Sequence, residues 1–232
     1  MNNRALPAPD KFASCPDDGK ILGYYDGQFE SVYVLLQPFL RSRSIPMERF
    51  CPEKWPTKQE LIEGAEAVTW QEILQLTELT SINEIDVGLR TSIGGLNTRF
   101  AKDELSNLLR KLTEESNIIH PSEGDISPSI ENRLYESLQH LGHNWLWVGD
   151  EFCTKRKLVW IDDLKKEDEI PSHGCLFTPD KTVLITTHWD SHFSFLCSSK
   201  AVIDQILEYQ AFEGFYCTPE TDVYWSVTPS SG

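Results

Sequence analysis

The chain has 232 residues, 40% of them hydrophobic and 25% charged, a globular balance that excludes a charge-rich disordered polymer. It carries 36 acidic against 21 basic side chains, a formal charge of −15. That field repels phosphate backbones and argues against a nucleic-acid partner, while it favours a basic protein partner and keeps the chain soluble.

The acidic excess is uneven: residues 1–118 hold 13 basic and 18 acidic side chains, residues 119–232 hold 8 and 18. Residues 1–20, with Pro7, Pro9 and Pro16, read as a flexible arm. They contain no apolar core of a signal peptide, and no window approaches the roughly 18 apolar residues of a membrane span, so the expectation is a cytoplasmic protein with no membrane partner. Cys15, Cys51, Cys153, Cys175, Cys197 and Cys217 form no Cys-x-x-Cys pair and are expected as thiols, several of them buried.

Residues 21–40 are apolar and aromatic, and Phe29–Leu36 fits either a helix ended by Pro38 or a buried strand. Pro46, Pro52 and Pro56 mark a connector. A capping box then opens a helix at Thr57-Lys58-Gln59-Glu60, and Thr69-Trp70-Gln71-Glu72 repeats it. Gly94-Gly95 breaks the chain between helices; it matches neither a dinucleotide nor a P-loop phosphate motif. Leu105, Leu108, Leu109 and Leu112 form one helical stripe, and Ser127-Pro128 opens a further helix lined by Ile130, Leu134, Leu138 and Leu141 and stopped by Gly142.

Beyond residue 142 the period shortens. Trp145–Val148, Leu158–Ile161, Thr182–Ile185 and Phe193–Leu196 are strand-like runs rich in β-branched and aromatic residues. Residues 183–197 read as a hairpin, followed by a Ser-capped helix over roughly 199–212, with Val223–Val227 as a last strand. The expectation is a single α+β domain over residues 21–232, helix-rich over 21–142 and strand-rich, mostly antiparallel, over 143–232.

Three groups of side chains invite a functional reading. His188-Trp189-Asp190-Ser191-His192 supplies two imidazoles and a carboxylate: on an extended strand His188, Asp190 and His192 share a face and suit zinc or iron, whereas at a hairpin turn they are ordinary hydrogen-bonded polar groups. Cys197 or Cys175 with one of these histidines is a possible nucleophile pair, although no nucleophile elbow surrounds either thiol. Trp189 and Trp225 are candidate binding anchors, and Asp162, Asp163, Glu167, Asp168 and Glu169 a candidate acidic docking loop; Trp145, Trp147 and Trp160 read as core or half-core.

The segment THWDSHFSFLCSSKAVIDQILEYQAFEGFYC, with Tyr224-Trp225 beyond it, resembles an uncharacterised bacterial family of unknown function. That resemblance implies a bacterial cytosolic protein and brings no activity with it. In composition and layout the chain also looks like the immunity proteins that neutralise toxins, an analogy that does not establish function. The leading expectation is an acidic protein-binding module, of which an immunity-type inhibitor of a toxin is one form, with a protein partner and no cofactor. The alternatives are a metal-dependent hydrolase using the His/Asp/His cluster, and a structural or regulatory subunit.

Overall fold

The apolar run with two readings is a strand. In the computed structural model, which describes residues 14–150, 154–166 and 174–227, a single helical turn, α1 (Ile21–Tyr24), leads into β1 (Ser31–Leu36). Five of the six β1 residues are buried, because the strand lies between two others with both of its faces covered. Such a strand shows no alternation, which is why periodicity alone left its type open.

At Gln37-Pro38 the chain leaves one sheet for another. β2 (Phe39–Ser42) pairs with β3 (Ala65–Val68) and β4 (Ile118–Ile119) in a small three-stranded sheet, order β3-β2-β4. The capping boxes form as read: Thr57 starts α2 (Lys58–Gly64) and Thr69 starts α3 (Trp70–Leu76), each hydroxyl accepting from the Glu amide three residues on. Between Thr69 and Gly94 there are two helices. Ser81 caps the second, α4 (Ile82–Ile93), and Gly94 ends it at φ 74°, a left-handed geometry that suits glycine. α5 (Asp103–Ser116) and α6 (Pro128–His140) follow, the latter with proline at its first position.

The remaining elements are β5 (Trp145–Gly149), β6 (Arg156–Trp160), α7 (Ile161–Leu164), β7 (Cys175–Phe177), β8 (Leu184–Thr187), β9 (Phe193–Ser198), α8 (Lys200–Tyr209) and β10 (Gly214–Tyr216). They build a seven-stranded sheet of order β10-β1-β9-β8-β7-β5-β6, antiparallel at every neighbouring pair, so the protein is α+β. The β8–β9 hairpin and the Ser199 cap of α8 form as expected. Val223–Val227 is not a strand: it is a turn segment whose Val223 and Trp225 plug the core, and the last strand among the described residues is β10. There only glycine fits, since a Cβ on Gly214 would lie 1.9 Å from the Val34 carbonyl oxygen.

One face of the large sheet carries Val32, Val34, Phe177, Leu184, Phe193 and Phe195 against α3, α4 and α5. The other carries Leu35, Leu146, Val159, Leu176, Ile185 and Leu196 against α6, α7 and α8. The chain entering from the expected N-terminal arm already packs at Ser14, which is buried and bonded to the hydroxyls of Tyr24 and Tyr25. Among the described residues no helix is long and apolar enough to cross a membrane.

Candidate functional site

The turn between β8 and β9 is where the sequence concentrates its most reactive side chains, and the backbone consumes most of them. His188 Nδ1 accepts from the Asp190 amide at 3.1 Å, and the Ser191 hydroxyl donates to the carbonyls of His188 and Phe193. The Ser191 carbonyl accepts from Gly124 and the His192 carbonyl from Gln37. His188 and His192 are buried, while Trp189 is 53% exposed. Because the segment turns, the alternation that would align His188, Asp190 and His192 is lost. Among the described residues no three His, Cys, Asp or Glu side chains are grouped to hold a metal ion.

The cysteine–histidine pair fares no better. Cys197 is buried on β9, where desolvation and the neighbouring Cys217 push its thiol well above the usual range; Cys175 is buried on β7 with its sulfur 3.0 Å from the Thr186 hydroxyl. A thiol kept protonated by burial is a packing group, not a nucleophile.

His192 is instead part of a buried polar knot that composition did not reveal. Burial, with the Arg90 charge and His120 beside it, lowers its pKa to about 3. Arg90 is fully buried, paired to Asp86 at 3.2 Å one helical turn earlier on α4, and donates to the Val223 carbonyl. Its guanidinium lies 5.1 Å from the ring centroids of both Phe193 and Tyr224, and the Ser226 hydroxyl donates to Asp86. The knot clamps the C-terminal segment onto α4. The Asp–x–x–x–Arg spacing on one helix face was its only signal in the sequence.

Gln37 plays a similar part between the sheets. Fully buried, it donates from its amide to His192 and from Nε2 to the Ser194 hydroxyl, while Oε1 accepts from Ser127 and its carbonyl from the Trp70 indole. Next to it a cleft of about 400 Å³ opens between α2 and the start of α6, with Trp55, 41% exposed, among its lining residues. Lys58 and Glu131 form a buried pair on its wall at 3.0 Å, closed by the Leu164 carbonyl and the Tyr135 hydroxyl.

The most conspicuous open surface lies at the far edge of the large sheet. Register places Trp145 opposite Trp160, Trp147 opposite Leu158 and Gly149 opposite Arg156, all on one face of the β5–β6 hairpin. The reverse face of the same hairpin, with Leu146, Val148 and Val159, is core. On this face Trp147 stacks on Phe177 against the core, as its half-core reading expected, while Trp145 is 44% and Leu158 39% exposed. Trp145 is therefore neither core nor half-core. It meets Trp160 edge to face at 5.0 Å, and the Trp160 indole donates to Asp162 at 3.2 Å. Hydrogen bonds from Gln139 and Trp160 hold the Asp162 carboxyl below its usual range. Asp162, on α7, thus borders the aromatic face, and Asp163 follows it in the same turn; Glu167, Asp168 and Glu169 lie outside the described residues. Trp225 is a different case. It is only 8% exposed, packed on Phe193 and Phe215, so it is a core residue and not an exposed anchor.

A family model described as "Protein of unknown function (DUF2711)" matches residues 17–227, so the likeness spans nearly the whole chain and not its last third alone. An "Uncharacterized protein YwbB" of Bacillus subtilis (strain 168) is 21% identical over 225 residues, covering 90% of this chain and 96% of the relative. No solved structure matches it significantly.

Proposed function

The chain belongs to the DUF2711 family, whose function is unknown, and we propose that it is a protein-binding module that engages its partner through the β5–β6 aromatic face. The observation that carries this reading is the exposed Trp145–Leu158 surface, with Trp160 packed edge to face on Trp145 and bonded to Asp162. Tryptophan gathers at binding hot spots because one rigid ring buries a large area at little entropic cost. Flanking carboxylates would steer a basic partner to it. Trp189, exposed on the β8–β9 turn, is a separate anchor candidate, and an immunity-type inhibitor would be one protein of this kind.

The reading is tested by affinity capture at low salt from the cells that make the protein, with wild type and Trp145→Ala as parallel baits. A specific partner should be retained by the first and lost from the second. With the partner in hand, Trp145→Ala should raise the off-rate at least about tenfold, and reversing Asp162 and Asp163 should slow association in a salt-dependent way. Equal capture by both baits would refute the assignment.

A further inference from the structure

β6 is the edge of the large sheet: among the described residues it pairs with β5 and with no other strand. Its residues are Arg156-Lys157-Leu158-Val159-Trp160, the first three of them exposed. An edge strand carries a row of backbone donors and acceptors ready to pair with another strand.

We propose that β6 pairs antiparallel with β6 of a second copy about a twofold axis at Leu158, joining two seven-stranded sheets into one. The strand is complementary to itself in this register. Leu158 meets the partner's Leu158, Arg156 meets the partner's Trp160, and Lys157 meets the partner's Val159. A guanidinium against an indole on a shared face is a favourable cross-strand pair. Charge points the same way. Lys155, Arg156 and Lys157 precede the axis, and Asp162 and Asp163, in the first turn of α7 and ahead of Lys165 and Lys166, follow it, so each basic end approaches the partner's first-turn carboxylates. A parallel pairing would set Arg156 and Lys157 against themselves. The lysine and arginine that guard this edge against indiscriminate pairing therefore spare one arrangement, the antiparallel self-pair.

Strand addition proceeds in the plane of the sheet: the partner's Arg156 covers Trp160, whereas Trp145, one strand in, stays open, so this inference does not depend on the proposed partner. The contact is small, which sets the expectation of a dimer dissociating in the micromolar range.

Sedimentation equilibrium of the intact chain should show twice the chain mass at tens of micromolar. Leu158→Lys places two ammonium groups directly opposite each other and should weaken the dimer on the order of tenfold or more. Leu158→Glu should do the same. Mixing the two variants should restore a heterodimer, because lysine then faces glutamate across the axis. Trp145→Ala, one strand away from the edge, should leave the dimer intact while abolishing capture of the heterologous partner, which separates the two readings. A wild-type chain that stays monomeric over this range overturns the proposal. So does a dimer indifferent to Leu158→Lys, or a mixture that fails to reassociate while both variants give wild-type circular dichroism.

Discussion

His192 offers the sharpest test of how the core is held. Its ring is buried, its Nδ1 has no hydrogen-bond partner among the described residues, and Arg90 and His120 oppose a further positive charge. The pKa therefore falls from 6.5 in the unfolded chain to about 3 in the folded one. Between these values the unfolded state binds the proton and the native state does not, so stability is complete above about pH 6.5 and falls as the pH is lowered. Relative to pH 8, linkage gives a loss of about 2 kcal/mol at pH 5 and about 3 kcal/mol at pH 4 from this one residue. Against a typical domain stability of about 5–15 kcal/mol, that is enough to dominate mild acid unfolding.

The assay is urea unfolding at pH 8, 6, 5 and 4 for wild type and His192→Gln, followed by tryptophan fluorescence. The variant loses the titration but keeps a polar side chain. Glu131 and Glu213, whose carboxyls burial raises and which therefore act in the opposite sense, contribute to both curves and cancel in the difference; His120, lowered chiefly by its own burial, contributes to both as well. The wild type should lose about 2 kcal/mol more than the variant between pH 8 and pH 5. Parallel curves would show that the ring accepts a proton in the folded state, and the account of the Arg90 knot would fail.

Two other substitutions probe the same interior. Asp86→Asn should destabilise by about 3–5 kcal/mol in urea, because it leaves the fully buried Arg90 charge without its counter-ion; Asp86→Asn with Arg90→Leu should recover part of that loss. Gln37→Leu should cost about 1–3 kcal/mol, since it orphans the Ser127 amide and removes the Ser194 bond between the sheets; a loss under about 0.5 kcal/mol would mean that the junction tightens by other contacts.

Which features of the sequence were readable follows from how local their causes are. Thr57, Thr69 and Ser199 announce helix starts because a cap needs only residues within three positions, and Pro128 announces one because its missing N–H costs nothing at the first helical position. The β8–β9 hairpin was legible for the same reason. What escaped depends on distant partners. β1 comes from the helix-rich half yet lies between β9 and β10, a placement made by burial of Val32, Val34 and Leu35 on opposite faces. β3, β4 and β7 have two to four residues each, too short to show a period.

The tryptophans and the His188–His192 motif carry the same lesson into function. Nothing local distinguishes Trp225, buried by Phe193 and Phe215, from Trp145, exposed beside Trp160 on the hairpin that ends the large sheet. Likewise HWDSH reads as chemistry only until its hydrogen bonds are traced. Its serine and first histidine shape the turn, its second histidine faces the Arg90 knot, and Trp189 alone projects well into solvent. The neighbouring EGFYC stretch divides similarly: Glu213 caps the amides of Trp70 and Gln71, Gly214 admits the β1 backbone, and Tyr216 donates to Asp204. Residues that looked like a site are the fastenings of the fold, which moves the search for function outward to the hairpin edge that those fastenings leave uncovered.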